Sequence, residues 1–358
     1  MQARLARLKF QRTNRISITG EEMERKILFC DQAKTLMMLL VIVSHSMAFY
    51  KGTWFTALTP ADSAPLFGYA SAYCGSFDIF VFTFVSGYLF QHLKFERGKY
   101  PLYKNFIKKK ALRLLTPYAF LAAFWCVPFQ IYFFHTGGAE LFKKFVLGYN
   151  PSQLWYILML FFLFAIIYPL SNKIQSLKTF PAFIIAFAVY IFGMFLYALS
   201  IPFQLPATFL HTAFFLLGMI FRKNNTAFGA WYIFAGAHFI LFCITQYLSK
   251  DPTTAIKVVR YSIMPFVNMA GTLMIISAVK NFQSAEIWDS PIFKFFKENS
   301  FTMYLVHQQI IYCTISIFNG LVAPPVLVMI NFVTALSVSS IICVIFNKFR
   351  VTRFLIGK

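Results

Sequence analysis

Ten stretches of this chain are apolar for long enough to cross a membrane, and charged or turn-forming residues separate them. They run over about 31–50, 74–93, 112–134, 153–170, 180–199, 207–221, 228–248, 258–279, 301–318 and 323–346. Residues 51–73, 135–152 and 280–300 are the longest loops between them. With the N-terminus inside, 27 of the 33 lysines and arginines fall in cytoplasmic segments, the bias that orients membrane helices. The pattern therefore predicts an all-α, polytopic integral membrane protein with ten spans and both termini cytoplasmic. It divides into a basic tail over 1–26, one embedded domain over 27–346 and a short basic tail over 347–358. No internal repeat interrupts the domain, and the loops leave no room for a large soluble one.

The first span, CDQAKTLMMLLVIVSHSMAFY, is the most informative. At 100° per residue, Lys34 and His45 differ by about 20° around the helix axis and Asp31 by about 40° from His45, so the three share one face. Lys34 and His45 are separated by about 16 Å of rise, roughly half the thickness of a hydrocarbon core. A polar stripe thus runs from the surface to mid-membrane. An ionisable residue in lipid is costly and faces a bundle interior, where it marks a pathway or site or bonds a neighbouring helix. Histidine is also the natural general base for a hydroxyl proton. Asp31 and Lys34, nearer the cytoplasm, read as second components that orient His45 or bind substrate.

A second intramembrane histidine, His307, lies in NSFTMYLVHQQII, a heptad from Ser300 and on the same side. Counted from the start of its apolar run it stands about 10 Å deep, able to meet the lower half of the first span. His92 and His135 fall at helix ends. His211 and His238 are lone histidines on apolar backgrounds, expected to bond a neighbouring helix.

Composition confirms the class: 59% hydrophobic, 20% aromatic and only 13% charged residues leave too little polar surface for a soluble domain. The net charge of +21 would suggest nucleic acid in a soluble protein, but here it follows topology and no nucleic-acid partner is expected. Its densest part, KFERGKYPLYKNFIKKKALR, brings Lys108, Lys109, Lys110 and Arg113 to the start of the third span. Such a cluster either sets topology or receives a phosphorylated donor. Six scattered cysteines form neither a disulfide framework nor a metal site, and the sparse acids make a metal unexpected. The first apolar run follows about thirty polar and basic residues without a small-residue cleavage site, so it is expected to be retained. Membrane lipids, anionic headgroups among them, are expected to meet the basic tail. A glycan or lipid transporter would share these traits, although paired acids and repeated halves are missing; so would a non-enzymatic subunit of an export complex.

The motifs line up in one order. Asp31, Lys34, Val41 and His45 match a D-x-x-R/K…V-x-x-x-H opening with a ten-residue spacer before the histidine. Phe82 to Tyr88 match F-x-x-SGY. Lys110, Arg113, Pro117 and Tyr118 match R-x-x-R merged with RLL-x-PY, with lysine for the first arginine. Leu154 to Phe161, FFLLGMIFRK and TMYLVHQQI complete the series. On these motifs, over about 27–346, the chain resembles the acyltransferase-3 membrane acyltransferases, and most closely a branch described as fucose 4-O-acetylase-like. The resemblance implies acyl transfer, usually of acetyl, from cytoplasmic acetyl-CoA to a hydroxyl of a glycan or lipid-linked sugar in a bacterial cytoplasmic membrane. It implies His45 as base or acyl carrier, with Asp31 beside it in the catalytic set, and Lys34, Lys110 and Arg113 on the donor's phosphates. Ser86, Trp155 and His307 would contact substrate. Lysine in place of arginine keeps the charge but loses the bidentate fork that matches phosphate.

Overall fold

A computed structural model describes residues 27–358; the basic tail expected over 1–26 lies outside the described residues. The described chain is helical, with one isolated bridge between Asn319 and Val322. In order the helices are α1 (27–47, extended by a 3₁₀ turn over Ala48–Lys51), α2 (Pro65–Gly75), α3 (Asp78–Gln91), α4 (Tyr103–Leu121), α5 (Val127–Phe134), α6 (Gly138–Leu141) and α7 (Trp155–Ser176). There follow α8 (Thr179–Tyr197), α9 (Leu205–Lys223), α10 (Trp231–Leu248), α11 (Thr254–Asn281), α12 (Pro291–Phe318), α13 (Pro324–Lys348) and α14 (Arg350–Leu355). Single π-turns continue α3 over His92–Glu96, join α4 to α5 over Ala122–Cys126, and extend α6 over Phe142–Val146.

Nine helical segments among the described residues are long and apolar enough to cross a membrane. α12 is the tenth long helix, and His307, Gln308 and Gln309 lower its apolarity. Its contacts give its reach. Near one end, Lys297 lies 3.5 Å from Asp31 at the start of α1. Just beyond the other, Asn319 bonds Thr59 and Ala61, which follow the far end of α1. α12 therefore runs the full length of α1, and its polar residues are tolerated because residues 302–312 are all buried in protein.

α12 also begins ten residues before the apolar run that suggested it. Pro291 occupies its first turn, and Ser290 caps it by accepting from the Phe293 N–H at 3.2 Å. α4 likewise starts at Tyr103, so Lys108, Lys109, Lys110 and Arg113 lie on the helix. The expected loop over 51–73 contains most of α2, and that over 135–152 contains α6. Residues 350–355 form α14; beyond it Ile356 is buried, and Lys358 Nζ donates to Asn299 and Asn347.

α9 is the most enclosed of the nine, whereas α10 and α13 present most of their apolar surface outward. The tightest crossing is α3 on α9. A Cβ on Gly87 would stand 1.9 Å from the Phe215 carbonyl oxygen, and one on Gly218 2.0 Å from that of Phe84. Small residues of this kind let two membrane helices approach backbone to backbone. The approach fixes the register of Ser86, next to Gly87.

Candidate functional site

His45 is held by its chain neighbours. Ser44 and Ser71 exchange hydrogen bonds, Ser44 Oγ donating to Ser71 O at 3.1 Å and Ser71 Oγ to Ser44 O at 2.7 Å, which ties α1 to α2. On the other side Asn331 of α13 donates to Ser46 O at 3.1 Å and accepts from Thr314 of α12. α1 and α12 are thereby locked in register around the histidine.

In that register His45 Nδ1 lies 2.8 Å from His307 Nε2. His307 is fully buried, and its Nδ1 faces the Tyr304 carbonyl at 2.7 Å and that of Met303 at 3.2 Å. Carbonyls only accept, so His307 Nδ1 carries the proton and its Nε2 is a lone pair. His45 Nδ1–H must then donate to His307, and His45 Nε2 is left with the free lone pair. The two rings lie nearly parallel, at 22°, and Trp54 packs 5.1 Å from the His45 ring. His307 is deeper than its apolar run suggested, because α12 starts at Pro291 and about 24 Å of helix precedes it.

Two cavities lie beside the helices that carry this pair. The first, about 250 Å³, has Lys34, Lys110 and Arg113 in its wall together with Ser86, Tyr100, Ser300 and Tyr304, over a floor of Phe82, Phe90, Leu160 and Phe164. The Lys110 ammonium rests 3.7 Å from the centre of the Phe164 ring. Among the described residues no carboxylate lines this cavity, whereas Lys34, Lys110 and Arg113 do. Burial pushes the Tyr100 phenol up, so it stays a neutral hydrogen-bond donor. The second cavity, about 410 Å³, is walled by His45, Trp54, Gln130, Phe134, Lys144, Asn150, Gln153, Trp155, Gln308 and Tyr312.

The partition between them is thin. Tyr304 lines the first cavity and Gln308 the second, one turn apart on α12 with His307 between. On α7, Tyr156 lines the first and the adjacent Trp155 the second. Tyr304 Oη donates to Gln153 O at 2.8 Å across the same wall.

The expected residues thus separate into groups. Lys34, Lys110, Arg113 and Ser86 share the cationic cavity; His45 and Trp155 share the other; His307 touches His45 directly. Asp31 joins neither. It stands about 21 Å of helical rise from His45 and pairs with Lys297, so a common helix face did not make it a partner of the histidine. His238 and His211 bond helix neighbours, with Ser76 at 2.8 Å and Thr83 at 3.4 Å. Sequence reasoning missed Trp54, Gln130, Lys144, Gln153 and Gln308. The Gln308–Gln309 doublet inside an apolar run was a legible signal; Lys144 and Gln130, one in the expected loop over 135–152 and one near the end of the third expected span, gave none.

The described residues thus bring together a cationic cavity, a second cavity walled mostly by aromatic and amide side chains, and a histidine pair beside it. The chain belongs to the acyltransferase-3 family, whose acyltransferase-domain model matches residues 27–347. No curated protein and no solved structure matches the chain.

Proposed function

We propose that this membrane acyltransferase moves an acetyl group from acetyl-CoA on the cytoplasmic face to a hydroxyl of a cell-envelope saccharide, in a bacterial cytoplasmic membrane. The observation that carries the reading is the His45–His307 pair between two unlike cavities. Lys34, Lys110 and Arg113 suit a phosphate-bearing donor: three cations without a carboxylate favour an anion, and the apolar floor suits a pantetheine arm and excludes water from a thioester. The aromatic and amide walls of the second cavity suit a saccharide.

In this reading His45 Nε2 removes the hydroxyl proton as the oxygen attacks the thioester carbon. The C–S bond breaks, and the imidazolium returns the proton to the departing thiolate. His307 holds the His45 ring and shares the positive charge. One feature favours a second route: His45 lines only the saccharide cavity, whereas the cations line the other. In that route Nε2 itself takes the acyl group from sulfur and passes it to the hydroxyl. Purified protein given radiolabelled acetyl-CoA tests both. Transfer to saccharide that vanishes in a folded His45→Ala variant supports the acyltransferase reading, and undiminished transfer rejects His45. Label held on the protein without acceptor selects the acyl-imidazole route.

A further inference from the structure

The second cavity contains one charge, and its setting is specific. Lys144 sits in the π-turn over Phe142–Val146, an insertion that redirects side chains and recurs at functional sites. Its neighbour Lys143 is exposed, whereas Lys144 is half-buried and lines the cavity. Its Nζ donates to Gln130 Oε1 at 2.9 Å and lies 5.9 Å from the centre of the Phe134 ring. None of the ion pairs seen among the described residues involves Lys144. Among the described residues no acid lines the cavity either.

An ammonium placed beside aromatic planes and amides, without a counter-ion, selects for a ligand that supplies one. We infer that the acceptor is an anionic saccharide, with a carboxylate or phosphate that pairs with Lys144 while the sugar lies against Trp54 and Trp155. The inference rests on reading this cavity as the acceptor's. It adds the acceptor's charge and the residue that recognises it. A charged hydrogen bond in a partly enclosed site discriminates by about tenfold or more.

Trp54 and Trp155 line the cavity, so tryptophan emission of the full chain in lipid nanodiscs reports binding directly. The probes are methyl glucuronide, glucose 6-phosphate and methyl glucoside. At least one of the two anionic sugars should bind about tenfold or more tighter than the neutral one, and which of them does so identifies the anion. Lys144→Gln should remove the preference and Lys144→Arg should keep it. Equal affinity for all three sugars in the wild type, or a charge preference that survives Lys144→Gln, would overturn the inference. Acetyl transfer to the same sugars separates the two readings. Transfer to neutral and anionic sugars at equal rates overturns the anionic acceptor and leaves the transferase standing. Lys144-dependent binding without transfer to any sugar upholds the anion site and rejects the reading of this cavity as the acceptor's.

Discussion

His307→Ala is the perturbation whose size follows most directly from the geometry. His45 Nδ1–H donates to His307 Nε2 at 2.8 Å, and His307 is oriented by two backbone carbonyls. Alanine removes the acceptor, which leaves a polar N–H without its partner, at a cost of about 1–3 kcal/mol. His45 can recover some of that loss by changing tautomer or rotating, and either change withdraws the lone pair from Nε2. Where a catalytic histidine of a serine protease is forced into the wrong tautomer, the rate falls by about 10⁴. The orienting group here is a neutral imidazole, so a loss of about 10²–10³ in kcat is expected, with KM for the donor unchanged because the cationic cavity is untouched. The assay is thiol release from acetyl-CoA in nanodiscs with saturating acceptor, alongside thermal unfolding to verify the fold. His307→Gln should recover part of the loss, since its carbonyl can accept from Nδ1–H. His45→Ala with His307→Ala should be no slower than His45→Ala alone, because the second residue acts through the first. Activity within about threefold of wild type in a folded His307→Ala variant, or losses that multiply in the double variant, would refute the reasoning.

Other consequences are as specific. Lys110→Gln and Arg113→Gln should each raise KM for acetyl-CoA about tenfold or more with a small change in kcat, and both effects should shrink as salt rises; donor titrations at two ionic strengths check this. Asp31→Asn should change turnover by less than about threefold, because its partner is an exposed lysine and the histidine is far along the helix; a loss as deep as that of His45→Ala would restore Asp31 to the catalytic set. Gly87→Leu should prevent the α3–α9 approach and yield little folded protein, measured as monodisperse material after detergent extraction. Asn331→Leu should preserve the bundle but loosen α1 around Ser46, lowering kcat by about tenfold, read with the same thiol-release assay.

The sequence made the spans legible because lipid imposes one rule, an apolar run of sufficient length, on nearly every helix here. The rule weakens where protein replaces lipid. α12 is so enclosed that it can carry His307, Gln308 and Gln309, and its first ten residues are amphipathic enough to resemble a loop. That displacement left His307 too shallow, and with it the contact to His45 out of view. The stripe from Lys34 to His45 was read correctly as facing inward. One helix face nevertheless served two cavities, and angular coincidence said nothing about which residues share one. Lys34, Lys110 and Arg113 could be grouped in advance by charge and motif order. Lys144, Gln130 and Trp54 could not, because segments remote in sequence bring them together.

We propose that acyl passes at His45 from the cationic cavity on one face to an acceptor saccharide in the second cavity on the other. Sealed proteoliposomes test it, with saccharide trapped inside and radiolabelled acetyl-CoA added only outside. Labelled saccharide should accumulate in the lumen with wild-type protein and not with folded His45→Ala. Label that reaches saccharide only when donor and acceptor are on the same side of the membrane would contradict the account.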